Sequence, residues 1–440
     1  TGMYTSASIT NCYNTGYVEG KGSSYIGGVV GHTNSYSTIE NCYNTGDVIS
    51  TYTEVCRVGG VVGEADQSYI KNCYNVGSVT GEDYVGGVVG NASDSTIRNC
   101  YNTGSVDGHL GVGGVVGYAY ENSIITNCYN TGSVDGYLGV GGVVGDGGEF
   151  YEDERTTITN CYNTGSVTGR DYVGGVVGLA YRYPTIENCY NTGSVTGEDC
   201  VGGVVGQVGT SIVTNCYNTG SVTGSYRYVG GVVGWAYDSG IRYCYNTGSV
   251  EGRDYVGGVV GYDNDNASDI TNCYYGGNCT LSYGIGDPSS NSGASKDENL
   301  IANAKSLSWY QDTPWDFEEV WSLVPSVNDG YPILKVFLIT ITYNSNYGET
   351  IAEQVPTGQE IVIADYDLFT RVGHEIVRWN TSADGTGVNY YAGDVYAGGA
   401  NLTLYAQWEP AVYRIELNAN NGSGGLSAMY VKYNTGFYSN

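Results

Sequence analysis

The sequence predicts an all-β fold: a β-solenoid of about nine to ten three-stranded coils over residues 1–279, followed by a capping segment and a small β-grasp-like domain. Three observations predict it. The phrase "NCYNTGSVTG" stands at 160–169, 188–197 and 215–224, with seven looser versions around it. A second phrase, "GGVVG", alternates with the first in nine copies that start between Gly27 and Gly257. Gly or Asn recurs every few residues, so no i, i+3, i+4 apolar stripe survives to support a helix.

Each unit reads as three short β-type runs: a β-branched stretch ahead of the cysteine ("STIENCY", "TTITNCY"), then "GSV", then "VGGVVG". Successive phrase cysteines lie 27 to 33 residues apart, a spacing that suits one coil. Insertions such as "GDGGEFYEDERTT" at 145–157 fall between the phrases, where loops leave the strands undisturbed. The small residues predict a narrow interior, and the paired glycines allow its walls to approach closely.

Strict alternation in "TIENCYN" would set Ile186, Asn188 and Tyr190 on one face. The residue after the isoleucine is nevertheless Thr, Glu, Lys or Arg in nearly all copies, and so faces out. A left-handed corner at the asparagine breaks the parity. It turns Cys12, Cys42, Cys73, Cys100, Cys128, Cys161, Cys189, Cys216, Cys244 and Cys273 inward as a core column. It turns Tyr13, Tyr43, Tyr74, Tyr101, Tyr129, Tyr162, Tyr190, Tyr217, Tyr245 and Tyr274 outward as a ladder. The thiols read as reduced core filler, because stacked Cβ vectors point the same way and zinc needs several converging ligands. Cys273 and Cys279 differ: they bracket the end of the array, and a disulfide between them would staple its last coil in an oxidising compartment. The tyrosines read first as cross-coil packing, and alternatively as an aromatic strip for a ligand.

Beyond the array, 280–335 reads as a linker and Trp-rich cap, with a helix over 298–310. There Trp309, Trp315, Trp321 and Phe317 supply bulk to cover the last edge of the solenoid. Residues 336–410 read as a compact β unit with strands near Phe337–Tyr343, Glu360–Ala364, His374–Trp379 and Leu402–Trp408. Residues 411–440 repeat its start.

The "NCYNTGSV…VGGVVG" unit resembles the GLUG motif of bacterial and archaeal surface proteins, and "WDFEEVW…NDGYPIL" is similar to the segment that commonly closes such arrays. The stretch "ITYNSNYGE…GHEIVRWNTSADGTGVNY…NLTLYAQWEP" resembles the Listeria-Bacteroides (internalin B-type) repeat, through Trp379 and the "LYAQW" ending. It departs from that pattern at His374-Glu375, where an aromatic usually follows the glycine. The resemblance implies a secreted or surface-displayed multidomain protein and supplies no catalytic residue.

A net charge of −28 and a pI near 4.1 argue against nucleic acid as a partner, and no run approaches the ~18 apolar residues that cross a bilayer. The opening "TGMYTSAS" lacks a basic and apolar leader, so any secretion signal is expected to be already removed or to lie outside these residues. His32, His109 and His374 fall in different units, which predicts no nucleophile–histidine pairing. "GYVEGKG" at 16–22 is one residue short of a phosphate-binding loop. Two acidic stretches, Glu152 to Glu154 and Asp263 with Asp265, lack the ligand count of a calcium loop. No catalytic, cofactor or metal residue is expected. The expected function is a non-enzymatic adhesin or stalk, extracellular or at the cell surface, that meets a glycan or a protein of a host or neighbouring cell. The alternatives are a filament subunit, polymerised end to end or by C-terminal strand addition, and an accessory region of a larger secreted protease or glycosidase.

Overall fold

In a computed structural model of the chain, residues 6–440 are described, except 23, 53–54, 149–154, 266, 288–293, 297–303, 312, 419–427, 435 and 439–440. Two compact units result, divided between Trp321 and Ser322. The boundary thus falls inside 280–335, and the Trp-rich stretch goes with the solenoid.

The solenoid coils pack in parallel register through four long sheets. The three runs of each unit all form strands, and two of them are bent at a corner, so five segments make one turn. One coil shows this: Thr96–Arg98, Tyr101–Asn102, Val106–Asp107, Leu110–Gly113 and Val116–Tyr120. The Asn-Cys corner separates the first two segments, and a Gly-Val corner separates the last two. The asparagine at the first corner is left-handed in every coil but one, from Asn11 (φ 56°) to Asn272 (φ 54°). Its amide side chain tolerates that region at low cost. Where the coil writes Tyr243 instead, the corner keeps the same φ of 54°, so stacking dictates the bend and Asn only eases it.

Equivalent residues lie over one another from coil to coil. Ile39 pairs with Ile70, Ile70 with Ile97, Ile97 with Ile125 and Ile125 with Ile158. These isoleucines, the phrase cysteines from Cys42 onward and the valines of "GGVVG" form one continuous core of nearly zero exposure. The core is narrow because the chain folds hard on itself at the paired glycines. A Cβ on Gly114 would lie 2.1 Å from the Gly142 carbonyl oxygen and 2.5 Å from the Asn130 side chain, which no other residue could accommodate.

The last coil is closed by backbone. Gly258 and Val259 donate to the carbonyls of Tyr283 and Gly284, and Ala294–Lys296 adds a parallel strand to Cys273–Tyr275. The tryptophans do not cover that edge as expected. They pack sideways on the tyrosine ladder, because its aromatic rings offer the apolar surface that an edge of peptide groups lacks. The helix expected over 298–310 is a short 3-10 turn, Leu307–Tyr310, in its described part, and 298–303 lie outside the described residues. Ser and Asn in that stretch weaken helix propagation, and four residues of turn suffice to place Trp309.

In the second unit a five-stranded sheet runs Thr350–Pro356, Leu338–Asn344, Leu402–Pro410, His374–Asn380, Asn389–Tyr390, with one parallel pair between Leu338–Asn344 and Leu402–Pro410. Trp379 is fully buried at its centre, where its indole N–H donates to the Ala364 carbonyl at 3.0 Å and Tyr343 packs edge-on at 5.0 Å. Val412–Glu416, Ala428–Lys432 and Gly436–Tyr438 form a separate antiparallel sheet, the start of the second copy. The departure at His374 has a local reason: its ring meets Tyr433 of that second copy edge-on at 5.5 Å.

Candidate functional site

The cysteine column is buried, except for Cys12 in the first coil. Each thiol is held inside: Cys128 Sγ donates to the Thr126 carbonyl at 3.3 Å and reaches the Ile97 carbonyl of the preceding coil at 3.6 Å. Burial pushes the thiols of Cys100, Cys161, Cys216 and Cys273 well above the usual range. A buried thiol held in its protonated form is a poor nucleophile and a poor ligand. Among the described residues no group of three or more His, Cys, Asp or Glu is placed to hold a metal ion. Cys273 keeps a free thiol, so the expected staple to Cys279 is not formed. Cys273 stays in the thiol file, with Sγ 3.4 Å from the carbonyls of Ile241 and Thr271.

Beside the thiols runs a ladder that the sequence reading missed. Asn44, Asn75, Asn102, Asn130, Asn163, Asn191, Asn218 and Asn246 are all fully buried. Each amide bonds twice: Asn102 Nδ2 donates to the Gly104 carbonyl at 2.7 Å and to Asn130 Oδ1 in the next coil at 2.8 Å. All links run the same way, from Asn14 to Asn246, at 2.7 to 2.9 Å. The ladder stops where the last phrase writes "NCYY" and Tyr275 stands opposite Asn246. At the left-handed corner a shorter row, Asn41 to Asn188, donates in the opposite direction at 3.1 to 3.3 Å. The signal was in the phrase, whose second asparagine recurs in every copy but the last.

The tyrosine ladder forms, with ring centroids 4.9 Å apart and planes within 3° for Tyr43–Tyr74 through Tyr129–Tyr162. Face-to-face stacking leaves each ring's faces to its neighbours and only its rim to solvent. The expected outward strip is also uneven. Tyr13 is 64% exposed, whereas Tyr217 and Tyr245 are at 2% and 3% beneath Trp321, whose ring lies 6.2 and 6.0 Å away. Burial pushes the Tyr129 phenol up to about 12, and those of Tyr162, Tyr190 and Tyr217 higher still.

The other singled-out groups stay apart. His32 stacks on Tyr25 and His109 on Tyr137. Asp263 is buried and accepts from the Ser268 amide, and burial raises its carboxyl. Glu152 to Glu154 lie outside the described residues.

A second feature of the coil surface was also missed. The residue before "VGG" is left-handed in coil after coil: Tyr84, Gly111, Gly139, Tyr172, Cys200, Tyr228 and Tyr255 have φ between 49° and 66°. A column on the adjoining segment faces it and includes Tyr118, Gln207, Trp235 and Tyr262. Between the two columns, over the coils from Asp171 to Asn264, the surface sinks into a groove of polar and aromatic lining.

Comparison with known proteins places these features in context. Residues 22–49, 81–107, 108–135, 169–196, 197–223 and 225–251 match the GLUG motif, and residues 340–407 match the Listeria-Bacteroides repeat domain. A protein of Evansella cellulosilytica described as a "Putative Gly-rich membrane protein" is 30% identical over 194 residues, 40% of this chain and 20% of that protein. A second from the same organism, described as a "Putative membrane protein", is 32% identical over 111 residues, 23% of this chain and 16% of that one. The chain thus spans about a fifth or less of these curated relatives. A crystal structure described as a putative immunoglobulin A1 protease from Bacteroides ovatus aligns over 69% of this chain and 86% of that one, at 22% identity and a TM-score of 0.37.

Proposed function

We propose that this chain, which carries GLUG-motif repeats ahead of a Listeria-Bacteroides repeat domain, is a non-enzymatic stalk with an adhesive role, displayed outside the cell. One observation carries the reading: the groups able to do chemistry are used as scaffold. The thiols face the core, the amides bond to one another along the axis, and the tyrosine faces cover each other. What results is a stiff array whose coil-to-coil variation lies on its surface and in its loops, as a display element requires. Relatives described as membrane proteins favour the same location.

The test is accessibility on intact cells. Antibodies to the coil loops should label unpermeabilised cells, and deleting the array should reduce attachment to a glycan- or host-protein-coated surface. Labelling confined to lysed cells would refute display. A second reading, an accessory region within a larger secreted protein, is favoured by the small share of each relative that the chain covers. Sequencing the whole reading frame would reveal or exclude an attached catalytic domain.

A further inference from the structure

We propose that the groove between the left-handed column and its facing column, over the coils from Asp171 to Asn264, binds an extended neutral glycan with one sugar ring per coil. The proposal rests on the display reading above and names the site and class of ligand through which adhesion would act.

The chemistry of the lining points to hydroxyl-rich sugars. Asp171, Gln207 and Asn264 line the groove as half-buried acceptors and amide donors. Asp199 accepts from Arg227 Nε at 3.0 Å, and Cys200 Sγ lies 3.5 Å from its other oxygen, which fixes that carboxylate in place. Arg227 keeps its two terminal nitrogens as donors. Fixed carboxylates, amides and a guanidinium among aromatic rings suit the alternating hydroxyl edges and apolar faces of a pyranose. The two carboxylates, in a chain of net charge −28, disfavour an acidic sugar.

The aromatic rings here are arranged unlike those of the ladder. Tyr228 and Tyr262 are tilted by 31° at 4.9 Å, and Tyr255 and Tyr262 by 66° at 5.0 Å, so these rings form no parallel stack, and the Arg227 guanidinium lies over the Tyr228 ring at 4.7 Å. Trp235 and Tyr262 are half-buried, with surface available to a sugar. The coil step, 4.9 Å from ring to ring along the ladder, is close to the length of one pyranose in an extended chain.

The backbone gives an independent reason. Gly111 and Gly139 occupy the left-handed position in two coils, so glycine serves there without strain. Tyr172 and Tyr228 hold the same conformation with a bulky side chain, which is strained there. Residues kept against such strain cluster where their side chains are needed for binding.

Calorimetric titration of the whole chain with cellohexaose, xylohexaose, mannohexaose and hexagalacturonate tests the proposal. At least one neutral hexamer should bind, more tightly than its dimer, and hexagalacturonate should not. Trp235→Ala should weaken that binding about tenfold. Tyr228→Gly should weaken it too while leaving the thermal midpoint unchanged or higher, which a purely structural tyrosine would not do. The proposal is overturned if no neutral hexamer binds, if hexagalacturonate binds best, or if Trp235→Ala and Tyr228→Gly bind as the parent does. These failures leave the display reading standing, since antibody labelling of intact cells measures it separately.

Discussion

The Asn-Cys-Tyr corner and the groove face belong to the same coils, yet they treat repetition in opposite ways. At the corner almost every coil writes the same residues, and the asparagines and tyrosines find their partners in the identical side chains above or below. On the groove face the column still stacks, past one register shift between Gly197 and Asp199, but its contents change: Gly139, Tyr172, Cys200 and Tyr228 follow one another. Sameness marks the positions where a side chain bonds along the axis, because an amide ladder or a ring stack tolerates few substitutes. Variety marks positions released from that constraint, where specific recognition can be built.

The largest test of the contrast is Asn130→Ala. It removes two donated bonds and strands the Asn102 amide in a dry core, so stability should fall by about 3 kcal/mol in chemical denaturation. A loss below about 1 kcal/mol would mean the amide ladder is incidental. Next comes thiol protection. Native protein treated with an aromatic disulfide reagent should release the equivalent of one thiol, that of Cys12, and all thirteen after unfolding. Fast labelling of several thiols in the folded chain would break the picture of a closed file.

A third test uses alkali. The Tyr129 phenol is raised from 10.0 to about 12 in the folded chain, so the unfolded chain loses its proton first. The associated stability is complete below pH 10 and is lost as pH rises through about 12. Tyrosinate absorbance and thermal melts between pH 9 and 12 should therefore show late ionisation of the ladder coupled to loss of structure; early, uncoupled ionisation would count against ring burial. The smallest expected effect lies on the other face. Tyr255→Gly relieves a left-handed tyrosine that is 41% exposed and should change stability by less than about 1 kcal/mol, toward the more stable side. A clear destabilisation would assign that column to the scaffold.

Much of the first face was legible. The period of 27 to 33 residues, the polar residue after the isoleucine and the asparagine before all but one of the phrase cysteines were enough to place the corner and orient the thiols. The amide ladder was not read, because asparagine two residues ahead of glycine is an ordinary mark of a turn, and nothing local says that its amide is dry. The left-handed tyrosines were not read either: Tyr before Val looks like a strand residue, and only the equivalence to Gly111 and Gly139 exposes the strain. The tryptophans were recognised as a cover but assigned to the wrong surface, since their sequence distance from the array does not say which side of the coil they meet.

The sequence by itself determined that the chain repeats as stacked β-coils, which residues face the core, and that a different small β unit follows, because these depend on period, side-chain size and the conformational preferences of Gly and Asn. Only the tertiary structure decided that the asparagines bond along the axis, that the tyrosine faces are closed and partly roofed by Trp321, and that a groove opens beside Trp235. Those outcomes depend on contacts between residues about 28 or more positions apart, which come together only once the coil has closed.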